Sequence, residues 1–244
     1  MFSSITNLFV PPACAVCTRR LDAGEQDLCA PCSSLWPGVS FEGPAPLTSR
    51  QAAAWYDGDI RSAIHALKFE GEAWRGPALG RALARTLAPA VAFDLVLPVP
   101  LSAPRLRERG YNQAARIVAG VTSVLRRPGT TRRLSRERHG GPQHTRDREA
   151  RAQIRGAYTA RGVTGLRVLV VDDVTTTGET LAACAEALFA AGASEVHAWS
   201  LSATPRHRGD GGAPKSLLDA LAPALVPSRE LEAIPRVRTP PPGP

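Results

Sequence analysis

The sequence predicts an α/β protein in which helices flank a parallel sheet and a small cysteine-rich module precedes them. Runs of β-forming apolar residues alternate with helical apolar periodicity, which is typical of a parallel, doubly wound sheet. The clearest of these runs, residues 168–171, is followed at once by Asp172 and Asp173. Four of the five cysteines lie within the first 35 residues, as two Cys-x-x-Cys pairs.

The cysteine pairs predict a structural zinc site. Cys14 and Cys17 form one Cys-x-x-Cys turn, and Cys29 and Cys32 form the second. Each turn can direct two thiolates at one point, so two turns complete a tetrahedron of zinc ligands. Disulfides are the weaker alternative in a reducing compartment, and a redox role for one pair would not explain the other. Because closed Cys₄ sites are structural, no catalysis is expected there.

The stretch between this module and the Asp pair predicts helices and strands in turn. Leu79, Leu83 and Leu87 recur at the four-residue spacing of one helix face. Pro98 and Pro100 place the end of one strand in a loop, because proline cannot donate to a central ladder. In chain order, the predicted elements are a linker around 37–46, a short strand at 52–56, helices at 60–67 and about 72–91, a strand at 94–101, a helix from 113 to about 125, a strand at 130–134, a long loop at 135–152 and a strand at 154–159.

The C-terminal part of the chain continues this alternation and then loses it. A strand is predicted at 166–171, a helix at 179–191 with Gly192 as its C-cap, and a strand at 195–201. Residues 207–244 contain eight prolines and little apolar periodicity, which predicts a disordered tail. The expected domains are the cysteine module at 1–36, the α/β domain at 37–206 and the tail at 207–244.

The Asp pair and the turn after it predict a site for a sugar phosphate. In open α/β sheets, ligands bind at the C-terminal ends of strands. Asp172 and Asp173 suit ribose hydroxyls or a magnesium ion. A buried strand seldom ends in two unpaired carboxylates that have no functional role, because ionised carboxylates are costly to bury unpaired. The turn at 175–178, Thr-Thr-Thr-Gly, opens a helix whose free N–H groups and positive dipole end suit a phosphate. A Walker A loop is excluded, because no Gly-x-x-x-x-Gly-Lys occurs.

Positive charge is concentrated in one segment of the chain. The formal net charge is +8, but residues 103–155 hold fourteen arginines and four acidic residues, a local charge of +10 that leaves −2 for the remainder. Such a segment indicates a polyanionic partner, either pyrophosphate or nucleic acid or both, unless it is a solvated arginine-rich surface. Tyr111 and Tyr158 are the only aromatic residues in or beside it, which argues against a stacking platform for single strands.

The sequence carries no sign of membrane insertion or export. It has no apolar run of about 18 residues, so no membrane span is expected. Residues 1–5 lack the basic n-region of a signal peptide. We therefore expect a cytoplasmic protein.

Several motifs follow one another along the chain. They are the two cysteine pairs, Leu67-Lys68-Phe69, Pro98-Val99-Pro100-Leu101, Arg109-Gly110-Tyr111-Asn112-Gln113, Pro142-Gln143 and Asp172–Gly178. In this order they resemble the ComF family of phosphoribosyltransferase-like proteins, which are associated with natural competence and DNA uptake. The resemblance covers roughly residues 8–204. Residues 151–158 read Arg-Ala-Gln-Ile-Arg-Gly-Ala-Tyr, where members often have Arg-x-Asn-Val-Arg-Gly-Ala-Phe, and the proline-rich tail has no counterpart in the family.

This resemblance implies a type I phosphoribosyltransferase fold that binds phosphoribosyl pyrophosphate (PRPP). Asp172 and Asp173 would be the catalytic pair and hold the ribose 2′- and 3′-hydroxyls, with Mg²⁺ bridging these hydroxyls and the pyrophosphate. By similarity, the loop after the 94–101 strand would hold pyrophosphate, and the 135–150 loop would close over the site as a lid. The residues implied in PRPP binding are Val174, Thr175, Thr176, Thr177, Gly178, Thr180, Arg105, Arg109 and Lys68.

Three functions remain open at this point. The first is an active phosphoribosyltransferase for an acceptor that the sequence does not identify. The second is a regulator that senses PRPP or a nucleotide without turnover. The third is a DNA-handling protein. In the last case its partner would be single-stranded DNA or a competence helicase.

Overall fold

The computed structural model describes residues 12–41, 43–44, 46–87, 93–136 and 156–205. They form a central five-stranded sheet with helices on both faces and a separate two-stranded sheet. The strands are β1 Val39–Ser40, β2 Ser49–Trp55, β3 Leu95–Pro98, β4 Leu134–Arg136, β5 Tyr158–Ala160, β6 Arg167–Thr175 and β7 Glu195–Ala203. The helices are α1 Ala30–Ser33, α2 Gly58–Phe69, α3 Arg75–Thr86, α4 Ala103–Arg109, α5 Gln113–Leu125 and α6 Glu179–Ala190.

The central sheet has the strand order β1-β2-β7-β6-β3. Strands β2, β7, β6 and β3 are parallel, whereas the two-residue β1 pairs antiparallel with β2 at the edge. Leu97 pairs with Val170 and Val171 pairs with Trp199, so the carboxyl ends of β3, β6 and β7 lie at one edge of the sheet. The predicted parallel sheet is confirmed, with β1 as an antiparallel addition.

Both faces of the sheet are covered by apolar side chains. Along β6, Leu169 and Val171 pack on the side of α2, α3 and α5, and Val168 and Val170 pack on the side of α6. Successive side chains of a strand point to opposite faces, so burial on both faces requires a continuous apolar run. This requirement explains why residues 168–171 contain no polar residue.

Helices α3 and α5 approach each other at backbone contact. A Cβ at Gly80 would lie 2.0 Å from the carbonyl oxygen of Ile117, and one at Gly120 would lie 2.0 Å from that of Pro77. Only glycine leaves room for this approach. The contact fixes α5, and with it the preceding segment, which lies beside the candidate site described below.

The N-terminal cysteine segment packs onto the same core as α2 and α3. Cys14, Cys29 and Cys32 belong to one apolar cluster with residues of both helices. The buried guanidinium of Arg75 donates from Nη1 to the carbonyls of Ala15 (2.7 Å) and Val16 (2.9 Å). The described part of this segment is therefore joined to the α/β domain by packing and by buried hydrogen bonds.

Strand β6 ends four residues later than predicted. It continues to Thr175 rather than 171, because β7 pairs with it as far as Val174 and Thr175. Asp172 and Asp173 therefore lie in the last part of the strand instead of after it. The predicted turn is correspondingly shorter and begins at Thr176.

The predicted loop after β3 contains helix α4. Proline in its first turn favours a helix start, and Gly110, with φ of 78°, ends the helix in the left-handed conformation. Arg105 and Arg109 thus lie on a helix and not in a loop.

The remaining differences are small. Helix α2 is longer than the predicted 60–67, α3 is shorter than 72–91, and the predicted linker contains β1. The strand predicted at 130–134 is instead β4, because Leu134–Arg136 pairs with β5. Residues 137–150 of the predicted lid, residues 154–155 and the tail at 207–244 lie outside the described residues. None of the described helices is long and apolar enough to cross a membrane.

Candidate functional site

A cavity of about 460 Å³ opens at the edge of the sheet where the carboxyl ends of β3 and β6 lie. Its walls come from the end of α2, from the loop and helix after β3, from the end of β6, and from β4 and β5. The lining residues are Lys68, Phe69, Val99, Pro100, Leu101, Arg105, Glu108, Arg109, Gln113, Arg136, Tyr158, Asp172, Asp173, Val174 and Thr180.

Asp173 is the most deeply buried carboxylate of this cavity. Its side chain is 4% exposed, and its Oδ1 lies 2.9 Å from the Nζ of Lys68 at the end of α2. Its other oxygen, Oδ2, is buried and finds no hydrogen-bond partner among the described residues. An unsatisfied buried acceptor of this kind is costly, and a ligand that donates a hydrogen bond would relieve the cost.

Asp172 is half-buried beside it. Its Oδ1 accepts a hydrogen bond of 2.9 Å from the backbone N–H of Asp173. Burial, and after it the charge of Asp173, raises the pKa of Asp172 to about 7, although Lys68 acts in the opposite direction. Near neutral pH this carboxyl group is therefore only partly ionised, and ionising it costs stability; such shifts of a pKa are common at functional sites.

We expect an Asp172→Asn variant to be more heat-stable than the parent chain at about pH 8, because it carries no buried charge. Since the unfolded aspartate has a pKa of about 3.9, the folded parent binds more protons than the unfolded chain between about pH 4 and 7. The parent should lose stability as pH rises through this window, so the advantage of the variant should vanish toward about pH 4. Thermal unfolding at both pH values measures the difference, and an equal difference at both would contradict this account.

The turn between β6 and α6 places the predicted threonines in different surroundings. Thr175 is buried, and its hydroxyl lies 2.5 Å from that of Ser200. Thr176 and Thr177 are exposed, and Gly178 adopts a φ of 80° as the N-cap of α6. Thr180 lines the cavity, whereas residues 175–178 lie beside it. The first N–H groups of α6 lack intrahelical partners, so this end of the helix can bind an anion.

The predicted cations also line this cavity. Arg105 and Arg109 both reach the cavity from α4, and Lys68 reaches it from α2. Arg109 donates from Nη1 to Oε1 of Gln113 at 2.5 Å, and its guanidinium lies 5.1 Å from the centre of the Phe69 ring. The structure therefore brings all three cations to the cavity that contains the Asp pair.

Several lining residues were not predicted from the sequence. Arg136 lies at the start of the segment predicted as a lid and Tyr158 follows that segment, and the guanidinium of Arg136 lies 5.6 Å from the centre of the Tyr158 ring. The predicted lid is the signal that could have found them, because its two ends must meet near the site. Glu108 had no such signal, since the helix that presents it was itself missed, whereas Gln113 is the last residue of the Arg109–Gln113 motif.

The four N-terminal cysteines form a cluster that could hold a metal ion. Their sulfur atoms all lie within 4.8 Å of one another, and the Sγ atoms of Cys17 and Cys29 are 3.6 Å apart. A tetrahedron of Zn–S bonds of about 2.3 Å has sulfur–sulfur distances of about 3.8 Å. The thiols are free, and both the number and the spacing of the sulfurs fit a zinc ion.

A profile of the phosphoribosyl transferase domain family matches residues 80–216, more than half of the chain. The match spans most of the elements that line the cavity. The chain belongs to the phosphoribosyl transferase domain family. This membership confirms the phosphoribosyltransferase-like fold class predicted from the sequence.

Within this family the chain is similar to proteins named for DNA utilization and competence. It is 30% identical over 205 residues to the DNA utilization protein YhgH of Escherichia coli O157:H7, with 78% of this chain and 90% of that protein covered. It is 30% identical over 154 residues to competence protein F of Haemophilus influenzae, with 57% of this chain and 66% of that protein covered. The resemblance to the ComF family is thereby confirmed.

Solved structures of phosphoribosyl transferase family enzymes are also similar to this chain. The allosteric regulatory enzyme of purine biosynthesis shares 29% identity at a TM-score of 0.38, over 54% of this chain and 26% of that chain. A purine phosphoribosyltransferase from Pyrococcus horikoshii shares 18% identity at a TM-score of 0.34, over 54% of this chain and 84% of that chain.

Proposed function

We propose that the cavity at the carboxyl edge of the sheet binds PRPP or ribose 5-phosphate together with Mg²⁺. The observation that carries this proposal is the Asp172–Asp173 pair in the cavity, with an unpartnered buried oxygen on Asp173. Thr180, in the first turn of α6, and three cationic side chains, Lys68, Arg105 and Arg109, line the same cavity as the pair. A ribose with phosphate groups at both ends matches this arrangement of charge.

In the proposed complex, Asp172 and Asp173 accept hydrogen bonds from the ribose 2′- and 3′-hydroxyls. A hydroxyl bound to Oδ2 of Asp173 would satisfy the orphaned acceptor. Lys68 orients the second carboxylate through its 2.9 Å contact with Oδ1. Hydrogen bonds to charged groups contribute about 1.5–3 kcal/mol each, so this pair dominates the recognition of the sugar.

The 5′-phosphate is assigned to the start of α6. The exposed Thr176 and Thr177, the left-handed Gly178 and Thr180 offer hydroxyls and backbone N–H groups there. The hydroxyl of Thr175 is already paired with Ser200, so its contribution is to hold the turn against β7. Val174, the remaining predicted binding residue, lines the cavity just before this turn.

The pyrophosphate is assigned to Lys68, Arg105 and Arg109, which line the cavity together with the Asp pair. Mg²⁺ fits the donor set, because it prefers oxygen ligands and is usually held by one or two carboxylates and substrate phosphates. Asp172 and Asp173 would supply those carboxylates. When bound, the ion would neutralise negative charge on the phosphate oxygens.

This arrangement supports displacement of pyrophosphate at C1 of the ribose. The bond from C1 to the pyrophosphate oxygen breaks, the acceptor forms a new bond to C1, and the cationic wall takes up the charge of the leaving group. The residues act by positioning the ribose and by stabilising charge. A regulator that binds PRPP without turnover would use the same contacts.

Release of pyrophosphate distinguishes an enzyme from a sensor. The full chain would be incubated with PRPP, Mg²⁺ and a panel of nucleobase and amine acceptors, and pyrophosphate would be assayed. Acceptor-dependent release by the parent, and none by an Asp172→Asn/Asp173→Asn variant, would identify a transferase. Saturable PRPP binding without release would identify the sensor.

The cysteine cluster is proposed to hold one structural zinc ion on Cys14, Cys17, Cys29 and Cys32. The sulfur spacing and the closed set of four thiolates support this assignment. The ion would stabilise the packing of this segment on α2 and α3 and take no part in the chemistry of the cavity.

A role in handling DNA is the second candidate function, in line with the names of the relatives. Two strongly exposed aromatic side chains favour it: Phe69 is 64% exposed and Trp74 is 48% exposed. Arg109 lies 5.1 Å from the ring of Phe69, and Arg75 lies 5.0 Å from that of Trp74. Of the aromatic residues, only Tyr111 and Tyr158 lie in or beside the basic segment in the sequence, but the fold also brings the Phe69 ring next to Arg109 of that segment.

We expect a Phe69→Ala/Trp74→Ala variant to bind a single-stranded oligonucleotide roughly 30- to 10⁴-fold more weakly at low salt, since stacking contributes about 1–3 kcal/mol per base and two rings are removed. Binding by the parent should weaken by orders of magnitude between low and physiological salt, because it depends on phosphate contacts. Fluorescence anisotropy measures both effects. Leu106→Ala, which removes an exposed apolar side chain without a ring, is the control. Unchanged affinity in the double variant would leave a helicase or another protein as the DNA-handling partner.

A further inference from the structure

The segment Arg109–Gln113 joins two walls of the cavity. The hydroxyl of Tyr111 donates to the carbonyl of Leu67, the residue before Lys68. The side-chain Nδ2 of Asn112 donates to the carbonyl of Val99 at 3.0 Å, at the start of the loop after β3. Adjacent residues thus hold the end of α2 and the loop beyond β3.

We propose that Tyr111 is the positioning residue for Lys68: its hydroxyl fixes the last turn of α2 and so places the Lys68 ammonium on Asp173. This inference rests on the proposed function of the cavity and adds a residue to its machinery. The described residues that line the cavity do not include Tyr111, so it acts through Lys68 and not by touching a ligand.

The carbonyl of Leu67 needs a partner because α2 ends at Phe69. The last four carbonyls of a helix have no intrahelical donor, and a buried one is costly without a substitute. Leu67 is fully buried, and the phenol of Tyr111 supplies the missing donor. The contact therefore holds the backbone from which the Lys68 side chain extends.

Position matters for Lys68 because its side chain is long and flexible. A lysine loses much rotamer freedom when it is held in one geometry, so a fixed backbone lowers the cost of the ion pair. Its Nζ lies 2.9 Å from Oδ1 of Asp173, and its side chain is 18% exposed. A small movement at the end of α2 would break this contact and leave Asp173 buried without a counter-ion.

Tyr111 is itself held firmly. Gly110 turns the chain in the left-handed conformation before it, and Asn112 caps α5 by accepting from the N–H of Ala115 at 3.3 Å. The guanidinium of Arg116 lies 5.8 Å from the centre of the Tyr111 ring. Burial raises the pKa of Tyr111, so the phenol keeps its proton and remains a donor at neutral pH.

The first test needs no ligand, because the chain contains only two lysines, Lys68 and Lys215. Lysine-selective ¹³C labelling gives one side-chain signal for each, and a Lys68→Met variant assigns them. We expect Tyr111→Phe, which removes only the hydroxyl, to shift the Lys68 signal toward that of an unpaired lysine. Tyr56→Phe makes the same chemical change outside the cavity lining and should leave the signal in place. An unchanged Lys68 signal in Tyr111→Phe overturns the proposal.

The second test is a double-variant cycle on PRPP affinity in the presence of Mg²⁺. Tyr111→Phe should weaken binding about three- to tenfold, in the range of one neutral hydrogen bond, and Lys68→Met on the order of tenfold or more. Adding Tyr111→Phe to Lys68→Met should not weaken PRPP binding further, because the Lys68 side chain that Tyr111 positions is no longer present. If the losses of PRPP affinity in the two single variants multiply in the double variant, and the unfolding temperature falls with the affinity, Tyr111 is merely structural and the proposal is overturned. Failure of the parent to bind PRPP refutes the proposed function instead, and the NMR result still decides the role of Tyr111.

Discussion

Replacing Cys29 with serine is expected to remove the zinc ion and to unfold the N-terminal segment. Structural zinc contributes about 10–16 kcal/mol in zinc-finger peptides, which is comparable with the whole stability of a domain, about 5–15 kcal/mol. Cys14, Cys29 and Cys32 share their apolar cluster with α2 and α3, so the loss should spread to the α/β domain. Metal analysis should fall from about one zinc per chain to none, and the unfolding temperature should drop sharply.

Cys184 provides the matched control. It is a buried cysteine on α6, on the other face of the sheet from the cluster. A Cys184→Ala variant loses one thiol and should keep about one zinc per chain. Purified parent without metal, with all four N-terminal thiols titratable in the folded state, would contradict the zinc assignment.

Local patterns were sufficient to predict the fold class and the centre of the site. The apolar run at 168–171 needs burial on both faces, which only a central parallel strand provides. Asp172 and Asp173 at the end of that run indicated the edge of the sheet where the cavity opens. The cysteine spacing predicted the cluster, because four thiolates from two turns can converge on one ion.

The remaining features depend on contacts between distant parts of the chain. The end of β6 is set by its pairing with β7, and the sequence of β6 alone does not contain that information. Lys68 was a candidate from its motif, yet its pairing with Asp173 joins residues 105 positions apart and follows only from the fold. The stacking of Arg109 on Phe69 likewise joins α4, which was not predicted, to the end of α2.

Converting both Asp172 and Asp173 to asparagine is expected to abolish PRPP binding in a chain that still folds. Asparagine keeps the size of each side chain but removes the charge that, in the proposed complex, would hold Mg²⁺ and the ribose hydroxyls. Two lost charge-assisted interactions of about 1.5–3 kcal/mol each weaken binding on the order of 10²- to 10⁴-fold. Lys68 faces the cavity and can turn its ammonium toward water, so the unfolding temperature should show an intact domain.

Asp94→Asn is the control for this double variant. Asp94 is also ion-paired, with Arg167 at 2.9 Å, but it lies just before the start of β3, at the opposite end of the parallel strands. The pair lowers the pKa of Asp94 to about 2, so the control removes an ionised carboxylate of comparable chemistry. It should leave PRPP affinity unchanged, and a loss equal to that of the double variant would mean that the effect is not specific to the cavity.

Calorimetric titration of the full chain with PRPP and Mg²⁺ shows whether the cavity containing Asp172 and Asp173 is a PRPP site. We predict saturable binding at one site per chain that requires Mg²⁺ and disappears in the Asp172→Asn/Asp173→Asn variant. Absence of saturable binding by the parent, or undiminished affinity in a folded double variant, would contradict the assignment.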